Sequence, residues 1–236
     1  VMISDVWPSG AEFATEKAHE ARAILDHHGI TASALTAAND FVQLDAKAIA
    51  EQVDRMQQVA QLAGIVGTSV LRTEGGQPKD AVPEEKYAEA IAGCLKACVP
   101  FCEDMGVKLA VDNHGVVSNN PAVLLPALEA VSSPCIGSNL DTMNLRWWGN
   151  AVADLPKIYH DLAPYVLHTH MKDGSGVRGE YQGAALGQGE IPLQVAVDEL
   201  VAVGYKGAWT AEWEGKGDKG EGYQACLAWL KANCPA

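Results

Sequence analysis

The stretch V-L-H-T-H-M-K-D, residues 166–173, decides how this chain is read. It is a short apolar run that ends abruptly in polar groups. His168 and His170 stand two apart, so on a strand both side chains point to the same side. Lys172 and Asp173 follow at once. Three further runs end in the same way: L-A-V-D-N-H at 109–114, I-G-S-N-L-D at 136–141 and A-W-T-A-E-W-E at 208–214. Parallel α/β barrels carry their chemistry at the C-terminal ends of strands. Four strand ends offering Asp112, Asp141, His170 and Glu212 are therefore the candidate site.

Working outward, apolar β-like runs cover 1–7, 30–36, 65–71, 107–112, 135–140, 165–171 and 207–213. Between them lie segments of helical spacing at 11–29, 45–63, 84–105, 120–131, 151–162, 192–203 and 222–232, several closed by a glycine (Gly29, Gly64, Gly106). A long loop is expected at 173–190. Strand–helix alternation requires a parallel sheet, because each crossover must return the chain across it. The count is seven strand–helix units, and a closed barrel needs eight. Residue 1 is not methionine and lies inside an apolar run. The expected fold is a single (β/α)8 TIM-barrel domain over residues 1–236, with its first β/α unit missing from the N-terminus of this sequence. A doubly wound open sheet is the alternative, but no GxGxxG follows the first strand.

Composition narrows the function classes. The chain is 48% hydrophobic and 20% charged, enough for a sizeable core. Its 17 basic against 30 acidic residues give a formal charge of −13, which repels phosphate backbones and argues against nucleic acid as a partner. No apolar run is long enough for a membrane span, and no basic, apolar leader opens the chain. Cys94, Cys98 and Cys102 recur every four residues along one helix face and read as small buried side chains; their spacing lacks the paired loops of a thiolate zinc site. A reducing, cytoplasmic compartment follows.

Three carboxylates and an imidazole form a mixed oxygen and nitrogen ligand set, suited to Mn²⁺, Mg²⁺, Co²⁺ or a non-thiolate Zn²⁺. Crowded together without a cation, such groups would repel one another. A single strand-end Asp is most often a helix N-cap or an Asx turn, and a single strand His most often a hydrogen-bonded core residue. The argument rests on four such residues on consecutive strands. His170, nearer its strand end, is favoured as ligand, and His168 as its support or as a substrate contact.

Several segments resemble the xylose isomerase-like TIM-barrel superfamily of sugar phosphate isomerases and epimerases, which is related to the type-IV apurinic endonucleases. They are V-D-N-H-G at 111–115, N-L-D-T-M-N at 139–144, H-T-H-M-K-D-G at 168–174, L-G-Q-G-E-I at 186–191 and G-Y-K-G-A-W-T-A-E-W-E-G at 204–215. The resemblance implies a divalent metal, Mn²⁺ foremost, on Asp112, Asp141, His170 and Glu212, with Glu212 and Asp112 as acid/base groups. It departs in two places. The usual first ligand is Glu, and here it is Asp112, one methylene shorter, which leaves it to bind directly, to bind through water or to pass its role to His114. The histidine that commonly lies three residues beyond the second ligand is Asn144 here. The loop residue Arg178 stands where the family often holds a substrate hydroxyl or phosphate. Lys172, Trp7 and Glu74 are further candidates to line the same mouth, as are Glu214 and the tryptophans 147 and 148. The glycine-rich loop 215–222 resembles a phosphate cradle in glycine content only, since no G-K-[ST] follows.

The implied activity is isomerisation or epimerisation of a small carbohydrate or keto-sugar through an enediolate, after loss of a proton next to a carbonyl. A lyase or dehydratase acting on keto-sugars or 3-keto-glycosides begins with the same step. A non-catalytic sugar-binding barrel and an apurinic endonuclease are the other classes; the latter needs many more ligands from the early strands, which offer no histidine. Members of the group are often dimers or tetramers, so a homo-oligomer is among the expectations.

Overall fold

The computed structural model describes residues 1–235. The chain falls into two compact units, Val1–Val111 with Pro126–Gly137, and Asp112–Leu125 with Ser138 onward.

The first unit holds helices α1 (Ile3–Val6), α2 (Glu16–His28), α3 (Ala46–Val66) and α4 (Tyr87–Met105). Its strands are β1 (Leu35–Thr36), β2 (Val70–Glu74), nearly all of β3 (Lys108–Asp112) and the start of β4 (Ile136–Asp141). β1 and β2 pair in parallel, Leu35 opposite Leu71. Lys108 N donates to Ser69 O, and Leu109 N to Cys135 O, which continues the order to β3 and β4. Helix α3 buries Met56, Val59, Ala60, Leu62, Ala63 and Val66, and α4 buries Ile91, Leu95 and Phe101 with Cys94, Cys98 and Cys102. Burial pushes the Cys94 and Cys98 thiols up to about 12, so they are inert packing groups.

Three expectations are corrected here. Residues 1–7 contain a short helix, α1, and meet β1 through Thr36 N on Val1 O at 3.0 Å and Ile3 N on the Thr36 hydroxyl oxygen at 2.9 Å. Trp7 therefore follows a helix and not a strand. Helix α3 runs through Gly64 and stops at Gly67, whose φ of +91° closes it by donating to Ala63 O. A side chain at Gly67 would also collide with Arg22, whose Nη1 donates to Val66 O at 3.3 Å and covers the helix end with positive charge. The strand predicted at 65–71 consequently begins five residues later, at Val70.

The second unit holds the ends of β3 and β4, strand β5 (Val166–His170) and a hairpin, β6 (Asp173–Ser175) with β7 (Gln182–Ala184). Its helices include α6 (Asn144–Trp148), α7 (Leu155–Leu162), α8 (Leu193–Ala202) and α9 (Lys219–Asn233); α5 (Pro121–Val131) is divided between the units. β4 and β5 pair in parallel with Asp141 opposite His170. The five-strand parallel sheet with intervening helices is part of a (β/α) barrel.

The predicted strand 207–213 is reduced to one parallel bridge, with Met171 N on Thr210 O at 2.7 Å and Glu212 N on Met171 O at 2.9 Å. Side chains take over the rest of its ladder: the Thr169 hydroxyl donates to Ala208 O and accepts from Thr210 N. The predicted loop 173–190 contains the β6–β7 hairpin. Its organiser is Asp173, buried, whose carboxylate accepts backbone N–H groups from Gly174, Gly187, Gly189 and Ile191 at 2.8–3.3 Å. Among the described residues, no helix is long and apolar enough to cross a membrane.

Candidate active site

The ends of β3, β4 and β5 are fastened by side chains that imitate a sheet ladder. Asn113 donates to Asp141 O at 2.9 Å and accepts from Asp141 N at 2.8 Å. Asn39 makes the same reciprocal pair with Glu74 in the first unit, at 2.7 and 2.9 Å. One residue further along, the Thr142 hydroxyl donates to Lys172 O and accepts from Lys172 N at 2.7 and 2.9 Å. The backbones carrying Asp141 and Lys172 are thereby locked before any ligand arrives.

On this frame Asp141 uses its two oxygens differently. Oδ1 accepts from Met143 N and Asn144 N at 2.9 and 2.8 Å, starting helix α6. Oδ2 is buried and has no hydrogen bond. One oxygen of this carboxylate thus caps a helix and the other is left without a partner. The Nδ1 of His170 is also buried; it lies 2.9 Å from Glu212 Oε2 but off the line of a hydrogen bond. One ligand atom each from Asp141, His170 and Glu212 lies within 4.8 Å of the others. Three such residues converging where Asp141 and His170 each keep a buried atom without a hydrogen bond fit a divalent cation, and the oxygen–nitrogen donor set is that of a hard or borderline ion.

The titrations express the same crowding. Burial raises the Asp141 carboxyl to about 7, against the pull of Lys172 and with the push of Asp112 and Glu212. Burial alone would raise Glu212 also, but His170 and Lys172 hold it at about 2. Burial would lower His170, and the surrounding carboxylates reverse this and raise it. Lys172 is 5% exposed and held protonated by its acidic neighbours: Nζ lies 2.7 Å from Glu214 Oε2, 3.4 Å from Glu212 Oε1 and 3.9 Å from Asp141 Oδ2.

Asp112 does not enter the group of three. Its Oδ1 accepts from Asn139 Nδ2, and its Oδ2 lies 3.6 Å from His114 Nδ1. A carboxylate must accept, which turns the Asn139 carbonyl toward His168 Nδ1 at 2.7 Å. His168 therefore donates from Nδ1, and its Nε2 meets the Thr210 hydroxyl at 3.3 Å. A buried chain Asp112–Asn139–His168–Thr210 runs beside the site, with the His168 ring edge-on to that of His170 at 5.7 Å.

The remaining candidates are placed as follows. Asn144 is buried, accepting from Lys172 Nζ at 3.4 Å and donating to Asn113 O at 3.2 Å. Arg178 is exposed, its guanidinium 5.8 Å from the Trp147 ring on α6. Trp7 and Glu74 belong to the first unit: Trp7 packs against Phe13 and under Arg55, and Glu74 accepts from Arg72 at 2.8 Å. Reading from sequence missed Asn113, Asn139 and Thr142. Their signal was present: polar, amide or hydroxyl residues inside or just past apolar strands, where a buried polar group needs a partner. It also missed Tyr181, which carries no motif.

In sequence, none of the curated proteins matches the chain. Solved structures do match in fold. A D-tagatose 3-epimerase-like protein superposes with a TM-score of 0.75 at 17% identity, covering 93% of this chain and 84% of its own. The 3-keto-D-glucoside 4-epimerase of E. coli gives 0.71 at 13% identity over 92% and 85%. A xylose isomerase-like TIM-barrel protein from Mycobacterium smegmatis, in complex with magnesium, gives 0.73 at 16% identity over 95% and 79%. At these identities the likeness is one of fold. The family pattern for the xylose isomerase-like TIM barrel matches residues 2–233, and the chain belongs to that family.

Proposed function

We propose that this protein is a divalent-metal-dependent sugar isomerase or epimerase that removes a proton next to a carbonyl, with Mn²⁺ as its cation. The observation that carries the reading is the convergence of one ligand atom each from Asp141, His170 and Glu212 within 4.8 Å, in a place where Asp141 Oδ2 and His170 Nδ1 are buried without hydrogen bonds. The epimerases and the magnesium-bound protein among the structural neighbours support it at the level of the superfamily.

Asp141, His170 and Glu212 would hold the cation. When bound, it would supply a Lewis acid to the carbonyl and hydroxyl oxygens of an open sugar. The rest is done by side chains of this chain. Glu212 is ionised at neutral pH and partly exposed, so it can accept the proton that leaves carbon. Asp112, with His114 beside it, is the second carboxylate proposed for proton transfer. Lys172 is a fixed ammonium that can meet the oxygen on which negative charge develops. Asn113 and Thr142 orient Asp141 and Lys172, which lowers the reorganisation needed at the moment of reaction.

The test is Glu212→Gln assayed on unphosphorylated and phosphorylated ketoses. Turnover is expected to fall by at least 10²-fold, as for loss of a general base, while Mn²⁺ binding only weakens. Wild-type rates in this variant would refute the role. Product mass separates the isomerase from the lyase reading, which Asn144 at a position usually held by histidine keeps in view: an isomerase or epimerase conserves mass and a lyase does not.

A further inference from the structure

Beside the group of three, Lys172, Glu214 and Tyr181 form a second cluster. Tyr181 stands just before β7 in the β6–β7 hairpin. Its hydroxyl oxygen is buried with no well-formed hydrogen bond, although the Glu214 carboxylate acts on it, and its ring centroid lies 5.9 Å from Lys172 Nζ. The ring has a prepared seat. A side chain at Gly174 would strike it, and Gly174 pairs with Gly183 across the hairpin. A side chain at Gly183 would strike Glu214 O, and Gly183 bridges to Gly215. Glycines therefore let the hairpin lie directly on the segment that carries Glu214, and this brings Tyr181 to Lys172. Glu214 acts on the hydroxyl without a well-formed hydrogen bond to it, and leaving a buried bond unmade costs on the order of 1–3 kcal/mol.

We propose that Tyr181, Lys172 and Glu214 bind an uncharged hydroxyl of the substrate, so that the substrate is an unphosphorylated sugar; this rests on the sugar isomerase or epimerase reading of the site. The cluster offers one donor–acceptor, one donor and one acceptor, and a hydroxyl needs that mixture because it both donates and accepts. A phosphate only accepts, and would have to lie beside the Glu214 carboxylate. Charge points the same way. One ammonium is shared among three carboxylates, with Glu214 the nearest at 2.7 Å. A divalent ion on Asp141 and Glu212 would leave Lys172 matched by Glu214 and no cation to spare for a phosphate dianion. Arg178 is exposed and rests on Trp147, outside this cluster.

The experiment measures binding and turnover of the four D-ketohexoses and their 6-phosphates in Mn²⁺, by calorimetry and product analysis, for the wild type, Tyr181→Phe and Glu214→Gln. The wild type is expected to prefer the free sugar. Tyr181→Phe keeps the ring on Gly174 and should weaken the free sugar by about threefold to tenfold, the worth of one neutral hydrogen bond, with Mn²⁺ affinity unchanged. Glu214→Gln should shift preference toward the 6-phosphate by removing the opposing charge, and it serves as the second variant if Tyr181→Phe fails to fold. Equal affinity of wild type and Tyr181→Phe, or tighter binding of the phosphate by the wild type, overturns the subsite and leaves the activity standing. A wild type that takes up Mn²⁺ but binds none of the sugars overturns both.

Discussion

Asp141→Asn should make the metal-free protein more stable and the metal-loaded protein less so. In the cation-free fold, burial raises the Asp141 carboxyl from 3.8 to about 7, so ionising it in place costs free energy relative to the unfolded chain. Between pH 3.8 and about 7 the folded state binds more protons than the unfolded state, and stability falls as pH rises through that window. Three pKa units at about 1.4 kcal/mol each set a ceiling of about 4 kcal/mol at pH 8, and relaxation around the site reduces it to about 2–4 kcal/mol. Asparagine keeps the Oδ1 that Met143 and Asn144 donate to and removes the charge at Oδ2. In EDTA the variant should therefore melt higher than wild type at pH 8, by about 4–16 °C at roughly 2–4 °C per kcal/mol, with the gap narrowing toward pH 5.5. Glu212 does not interfere: its pKa is lowered to about 2, so the stability it gives is complete above 4.5 and is lost only below that. With Mn²⁺ at a hundred times Kd the wild type should gain about 2.7 kcal/mol, and the variant, short of one ligand, should gain far less. Scanning calorimetry at pH 5.5, 6.5 and 8, with and without Mn²⁺, reads all of this. A metal-free variant that melts at or below wild type at pH 8, or a gap independent of pH, would refute the argument.

Two other substitutions probe the frame. Asp173→Ala removes the acceptor of four backbone N–H groups, so the 173–191 segment should loosen; limited proteolysis should cut there, and stability should fall by about 2–4 kcal/mol. Cutting no faster than in wild type would show that the hairpin holds without it. Asn139→Leu breaks the Asp112–Asn139–His168 chain and removes one donor from a buried carboxylate, at a cost of about 1–3 kcal/mol; a crystal structure should show His168 turned, and an unmoved ring would contradict the chain.

The rhythm of strand and helix was readable because each crossover helix has its own apolar spacing and most have their own stop. Gly29 and Gly106 do what their positions suggest, with φ of +63° and +66°. Gly64 misled because a glycine inside a helix looks the same in sequence as one at its end. What separates it from Gly67 is tertiary: Arg22 occupies the space where a side chain at residue 67 would go. Strand 207–213 was overread for a similar reason. Its apolar residues are present, but Thr169 supplies by hydroxyl the bonds a strand would supply by backbone.

The site was legible as a set of residue types and only partly as a geometry. Asp141 and His170 come together because parallel strands in register put their last residues side by side, and Glu212 joins them through the bridge of its segment to Met171. The place of Asp112 was not visible. Having the right position on β3 is insufficient when the side chain is one methylene short and Asn139, on the neighbouring strand, takes hold of it. That is a contact between residues 27 apart, and no local pattern announces it. The same contact gives the short carboxylate a place of its own in the fold. Asn139 joins the short carboxylate to His168, so the two residues that stand apart from the group of three become one buried acid–amide–imidazole unit beside it. Restoring the longer side chain by Asp112→Glu would push a carboxylate into the space Asn139 occupies. It should displace His168 before it adds a fourth ligand, and a crystal structure of that variant with Mn²⁺ would show which of the two occurs.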